Sequence, residues 1–229
     1  MNIFLDLETI PAQRLDVLTL LKEDAEREKL SARAPSNYKD DAKIAEYVAA
    51  KHAEIDAAMD EKYRKTALDG TWGQVVCIGY AVNDDPVSLI YCDDWQDEAI
   101  LLHAFNTQLS AAFDPSDRMC FIGHNILGFD LPFLHKRYIV NGIKPSPVIP
   151  FNARPYSEFI YDTMMIFAGY NNRISLDRLG RALGLGGKGD FNGSMVWDAV
   201  CNGEIKRVAE YCAEDVSLTR EVYRRMRFV

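Results

Sequence analysis

The opening run Met1-Asn2-Ile3-Phe4-Leu5-Asp6-Leu7-Glu8-Thr9 sets two carboxylates in a segment whose other side chains belong in a core. Alternation with a period of two sends Phe4, Asp6 and Glu8 to one face of a strand and Ile3, Leu5 and Leu7 to the other. A strand of this composition is buried on both faces, and a buried carboxylate with no compensating partner is costly. Taken singly, Asp6 could pair with a buried arginine and Glu8 could cap a loop. A divalent cation is the simplest positive partner for both.

The length, 229 residues with 48% hydrophobic content, is enough for one sizeable core, and a single domain spanning 1–229 is expected. The five cysteines, Cys77, Cys92, Cys120, Cys201 and Cys212, are scattered without a CxxC pair, which suggests neither a disulfide framework nor a zinc site. No run approaches the roughly 18 apolar residues of a membrane span, and no basic segment leads into an apolar one at the start, so a cytoplasmic protein with no membrane contact is expected. Net charge is −8, which argues against wrapping of extended duplex, because phosphate binding is driven by lysine and arginine. Metal-dependent chemistry at a chain end stays open, since bound cations supply local positive charge.

Residues 11–70 change character to helix. Leu15 to Arg33 and Asp40 to Leu68 read as two helices broken at Pro35-Ser36-Asn37, the second amphipathic through Ile44, Val48, Ile55 and Met59. A packed or dimerising arm is the plain reading; the sharper one lets it wall a substrate groove with Lys62, Arg64 and Lys65 near phosphates. Strands are predicted over Gln74 to Val82 and Val87 to Cys92, antiparallel about the turn Asn83-Asp84-Asp85-Pro86. A helix over Asp97 to Phe113, a strand over Arg118 to Gly123, a helix over Leu131 to Val140 and a short strand over Phe159 to Asp162 follow, an α/β order. The stretch Gly184-Leu185-Gly186-Gly187-Lys188-Gly189 has GxGxxG spacing but follows a helix rather than a strand, so it reads as a loop.

The last predicted helix, Glu204 to Met226, gathers Val208, Cys212, Val216, Thr219 and Val222 on one arc, and Asp215 falls on that apolar side with Tyr211 one turn before it. This repeats the problem posed by Asp6 and Glu8. Asp130, in Gly128-Phe129-Asp130-Leu131-Pro132, stands where a helix N-cap belongs.

Together, Asp6-Leu7-Glu8-Thr9, then Gly123-His124-Asn125 with Phe129-Asp130, then Tyr211 and Asp215 in YxxxD spacing resemble the three exonuclease motifs of the DEDD superfamily, in their order. The tyrosine variant is indicated, because the position five before the final aspartate, where the other variant carries histidine, is Glu210. The chain most resembles predicted standalone 3′-to-5′ exonucleases related to the proofreading domain of family B DNA polymerases, a likeness that extends through Gly193-Ser194-Met195-Val196-Trp197. It implies a ribonuclease H-like α/β fold, a central mixed five-stranded sheet flanked by helices with the helical insertion at 11–70, and a site between the first strand and the last helix.

By that resemblance the catalytic residues are Asp6, Glu8, Asp130, Tyr211 and Asp215. Two divalent ions, Mg²⁺ or Mn²⁺, would be held by Asp6, Glu8 and Asp215 and by Asp6 and Asp130, and oxygen-only ligands favour these hard cations over zinc. Tyr211 would orient the attacking water, being too weak a base to deprotonate it. Leu7 and Thr9 would lie beside the terminal nucleotide, Thr9 near its 3′ hydroxyl, and Asn125 and Phe129 would line the next position, Phe129 by stacking. The implied function is a metal-dependent 3′-to-5′ exonuclease on single-stranded DNA or frayed ends. It would act alone or in trans with a DNA polymerase or with replication or repair proteins. An RNA 3′-end trimming enzyme and a non-catalytic nucleic-acid-binding or polymerase-associated module are the alternatives.

Overall fold

A computed structural model describes residues 1–93, 97–112, 118–187 and 189–229 of the chain. The first strand, β1 (Asn2–Ile10), lies at the centre of a five-stranded sheet with β2 (Gln74–Val82), β3 (Ser88–Tyr91), β4 (Cys120–Gly123) and β5 (Ile160–Asp162), in the order β3-β2-β1-β4-β5. β2 runs antiparallel to β1 and to β3, whereas β4 runs parallel to β1 and to β5, so the sheet is mixed as expected. The strands β3, β4 and β5 are shorter than their predicted runs because pairing stops before the hydrophobic pattern does.

The period-two reading of β1 holds. Ile3, Leu5 and Leu7 pack on one side with Leu101, Leu102 and Phe105 of α3 (Glu98–Ala112) and Leu131 and Leu134 of α4 (Asp130–Val140). Phe4 packs on the other with Ala81, Ile122 and Val216, the last from α8 (Ile205–Arg227), and Ile10 with Val208 and Cys212 of the same helix. Phe113, the predicted end of the α3 helix, lies outside the described residues. The arc read on the last helix is also the one it buries: Val208, Tyr211, Cys212, Asp215, Val216, Thr219 and Val222 are all buried.

Between β1 and β2 the chain leaves the sheet as two helices, α1 (Leu15–Ser31) and α2 (Asp41–Lys65), closed by a 3-10 turn at Thr66–Leu68. The arm has little core of its own, with only Val17, Ala25 and Ile55 buried in its two helices. Its base is tied by the Thr66 hydroxyl, which accepts from Ala12 N–H at 2.8 Å and donates to the Tyr63 carbonyl at 2.6 Å. The return to β2 is locked by a buried ion pair: Arg137 holds Glu98 at 2.7 Å and donates to the Gly70 carbonyl, while Glu98 accepts the Val75 N–H. Breaking a pair of this kind by removing one partner costs about 3–5 kcal/mol.

Four short elements complete the order: α5 (Thr163–Ala168), α6 (Leu176–Ala182), a 3-10 turn at Gly193–Met195 and α7 (Val196–Cys201). The glycine stretch after α6 begins as a helix stop. Gly184 has φ +71° and its N–H returns to the Arg181 carbonyl, a left-handed ending that glycine adopts without penalty. Lys188 of that stretch lies outside the described residues.

Candidate active site

Asp6 and Glu8 leave the face of β1 that α8 covers. Opposite Asp6 in the ladder is Gly79 of β2. A Cβ there would meet Cys212 Sγ at 2.8 Å and Val216 Cγ2 at 3.0 Å, so the missing side chain is what lets α8 lie against the strand. Further along the same ladder the register shifts between Glu8 and Thr9, with Val76 as the extra residue of a β-bulge. Bulges re-aim side chains, and this one lies directly beyond Glu8.

Against these two acids α8 sets Tyr211, Cys212 and Asp215. Ligand atoms of Asp6, Glu8 and Cys212 lie within 4.8 Å of one another. The Cys212 sulfur is 3.5 Å from Asp6 Oδ2 and 3.6 Å from the Asp6 carbonyl oxygen. Tyr211 hydrogen-bonds to Asp215 one turn on; burial, together with the charges of Asp215, Glu8 and Asp6, drives the phenol pKa far upward. The hydroxyl therefore stays protonated and acts as a donor. Its ring is packed by Phe191 at 5.1 Å between centroids, and the Arg207 guanidinium lies 4.8 Å over Phe191 on the outside.

Asp130, the first residue of α4, lies close enough to Asp162 and Asp215 for their charges to act on it. The helix-cap reading is corrected here: α4 begins at Asp130 itself, and the N-cap position falls to Phe129, whose side chain makes no capping bond. The Asp130 carboxylate hydrogen-bonds its own amide at the start of the helix and also accepts the Leu7 backbone N–H. That amide is available because β4 pairs with β1 only as far as Phe4. Asp130 is 3% exposed and belongs to no ion pair among the described residues. Burial, with the charges of Asp162 and Asp215, pushes its pKa up to about 7.

Asp162 was not anticipated as part of this region. It caps α5, accepting from Met165 N–H at 3.0 Å, and also takes the Asn125 and Leu127 amides at 3.1 Å each. Those bonds shape the loop between β4 and α4, where Asn125 has φ +69°. His124 sits beneath, its ring nitrogens 3.0 Å from Thr163 Oγ1 and 2.8 Å from the Ile174 carbonyl. The available signal was an aspartate ending a short strand just before a helical run, a good N-cap pattern.

The expected substrate contacts divide. Asn125 lines a cavity of about 470 Å³ with Asp162, Met165, Tyr170 and Arg173. Phe129 is half-buried and packs on Phe133 with ring centroids 5.4 Å apart. Leu7 sends its side chain into the core on the far face from Asp6 and Glu8. Thr9 donates its hydroxyl to the Ala67 carbonyl at 2.7 Å, a bond to the base of the arm. The arm cations expected near phosphates already face acids: Lys62 is 4.0 Å from Glu28, Arg64 bridges Asp60 and Asp198, and Lys65 pairs with Glu61.

Residues 71–229 match the family described as predicted 3′-5′ exonucleases related to the exonuclease domain of PolB, and the chain belongs to that family. The match begins after the helical arm and leaves Asp6 and Glu8 outside it; the sheet brings them to the motifs within it. Among solved structures the chain is similar to the family B DNA polymerase of the hyperthermophilic archaeon Pyrobaculum calidifontis. The TM-score is 0.52 at 17% identity, over 70% of this chain and 22% of that one. This likeness is one of fold, the ribonuclease H-like arrangement of a mixed five-stranded sheet flanked by helices. None of the curated proteins compared matches the chain.

Proposed function

We propose that this protein is a metal-dependent 3′-to-5′ exonuclease that removes nucleotides from single-stranded DNA or frayed 3′ ends. The observation that carries the reading is the convergence of Asp6 and Glu8 from β1, Asp130 from the start of α4 and Tyr211 and Asp215 from α8, within a chain of this family. Buried and half-buried carboxylates clustered this closely suit divalent cations, and the elevated pKa of Asp130 reflects burial first and then the charges of Asp162 and Asp215, which a cation would offset. Asp6, Glu8, Asp215 and Asp130 would hold two ions, Mg²⁺ or Mn²⁺. Such ions, when bound, offset the charge developing on the phosphoryl oxygens and activate water.

The chain's own residues do the positioning. The Tyr211 hydroxyl, protonated and fixed by Asp215 and Phe191, orients a water at the scissile phosphate rather than taking its proton. The Leu7 amide fixes Asp130, so β1 sets the spacing of both sides of the site. The strand approaches along the Asn125 loop. Phe129 stands by this loop, and the adjoining cavity offers exposed Tyr170 and Arg173, a guanidinium with no ion pair among the described residues. An aromatic and a cation in a polar cleft suit one or two nucleotides of a single strand.

Nucleotide release from matched DNA and RNA oligonucleotides with Mn²⁺ tests the proposal. Release from DNA is the expected result, and release from RNA alone would transfer the mechanism to an RNA-trimming enzyme. No release from either, by folded protein, would leave a binding module related to polymerases.

A further inference from the structure

Asp162 is a buried acid to which the proposed reaction gives no task. It ends β5, is 2% exposed, and is met by three backbone amides and by no cation among the described residues. We infer that Asp162 is a positioning residue for the substrate strand: its carboxylate clasps the loop 125–128 to the end of β5 and so fixes one wall of the cavity in which the strand lies. The inference rests on the reading of that cavity as a single-strand site.

The division of its two oxygens carries the argument. A helix cap needs one acceptor, as on α6, where the Ser175 hydroxyl takes the Arg178 amide at 3.3 Å. At Asp162 the Oδ1 atom serves α5 through Met165 at 3.0 Å and takes the Asn125 amide at 3.1 Å as well. Oδ2 does nothing for α5; it accepts the Leu127 amide at 3.1 Å. Carrying a carboxylate into the interior is costly, and amide bonds to a charged acceptor are roughly twice as strong as neutral ones, so the charge and the second oxygen are matched to the loop rather than to the cap. The loop itself is tightly turned. The Asn125 carbonyl accepts the Gly128 and Phe129 amides at 3.0 and 2.8 Å, the Ile126 carbonyl accepts Leu131 at 3.0 Å, and Asn125 holds a left-handed φ of +69°, which persists where the surroundings enforce it. Asn125, Leu127 and Gly128 line the cavity together with Tyr170 and Arg173. Asp130, beyond the loop, has its own anchor in the Leu7 amide, whereas Asp162 is the one acceptor for the Asn125 and Leu127 amides among the described residues. Loss of the clasp therefore falls on strand binding before it falls on the acids, because a wall that is not already formed must be ordered by the strand itself.

Asp162→Asn tests this, because a carboxamide has a single acceptor oxygen. Turned to α5, it sets its NH₂ against the Leu127 N–H; turned to Leu127, it gives up both Asn125 and Met165. Two readings are taken in chelator: amide hydrogen exchange over 124–129, and anisotropy of an end-labelled single-stranded DNA. The variant is expected to exchange Asn125 or Leu127 about tenfold faster and to bind the strand about tenfold more weakly, the scale of one lost hydrogen bond to a charged group. With Mn²⁺ present, KM should rise by more than kcat falls. Unchanged exchange, or faster exchange with unchanged affinity, would overturn the inference, and so would a loss confined to kcat, which is what fewer folded molecules give. If Asp162→Asn does not fold, the wild-type chain decides: amides of Asn125 and Leu127 protected before DNA is added are expected, and protection that appears only with DNA would overturn a preformed wall. Wild type that binds no single strand overturns the strand-site reading itself, and that outcome is visible before any variant is compared.

Discussion

At the scale of single residues, the account turns on what burial does to groups that titrate. Tyr211 is held protonated by its surroundings, so removal of its hydroxyl should slow the reaction without loosening the substrate. Tyr211→Phe is expected to lose roughly 10²-fold in rate, the lower end of what a positioned proton-handling group contributes, with affinity within about twofold. Single-turnover rates set beside binding anisotropy check this, and an equal loss of affinity would mean that the phenol grips the strand. Asp130 makes a second prediction. Its pKa rises from an ordinary 3.8 to about 7 on folding, so the folded chain binds its proton more tightly than the unfolded chain does. The resulting stabilisation is complete below about 4 and is lost as pH rises through about 7. Thermal melts in chelator should therefore fall by several degrees between about pH 6 and pH 8. Asp130→Asn should flatten that dependence, and added Mg²⁺ should restore stability at the alkaline end, where cation replaces proton. A melt that rises over this range would contradict the burial argument.

At the scale of elements, the site is a contact between β1 and α8, and its quality depends on how closely the helix lies on the sheet. Gly79 sets that distance. Gly79→Ala places a methyl 2.8 Å from the Cys212 sulfur and 3.0 Å from Val216, so α8 must shift. A cost of about 1–3 kcal/mol in urea melts is expected, with a fall in nuclease rate larger than the stability change explains. Unchanged stability and rate would show that α8 has slack. Much of this contact was legible beforehand. The alternation in β1 and the single apolar arc of α8 each name the face they bury, and both put their acids on it. What was not legible depends on tertiary pairing. The bulge at Val76, the empty space over Gly79 and the Leu7 amide left open by the short β4 ladder have no local signature. Asp130 looked like a helix cap because Phe129-Asp130-Leu131-Pro132 has the composition of one, yet it is the first residue of α4, and its carboxylate reaches the Leu7 amide of β1 besides its own. Cys212 stands on the buried arc read from the sequence, but its contact with Asp6 comes from α8 packing on β1 and leaves no mark along the chain.

At the scale of the whole molecule, an acidic chain of net charge −8 is asked to hold a polyanion. It can do so only over a short stretch, with the few cations near the site and the bound metal ions doing what a basic groove does elsewhere. On the arm, Lys62, Arg64 and Lys65 each stand beside an acid. Binding of single-stranded DNA should therefore depend weakly on salt. At about −0.7 per phosphate neutralised, two or three contacts give a logarithmic slope between about −1.4 and about −2.1, and a much steeper one would require a longer basic track than these few cations supply. Through Thr66, Thr9 and the Glu98–Arg137 pair, the arm's base is tied to the site-bearing strands. The most direct test of the central claim, that these carboxylates form a metal-dependent chain-end hydrolase, is Mn²⁺-dependent digestion of 5′-labelled single-stranded DNA by wild type and Asp6→Ala. A descending ladder that requires the metal and is absent from the folded variant is the predicted result. A ladder that survives in Asp6→Ala, or no metal-dependent cleavage by wild type, would contradict it.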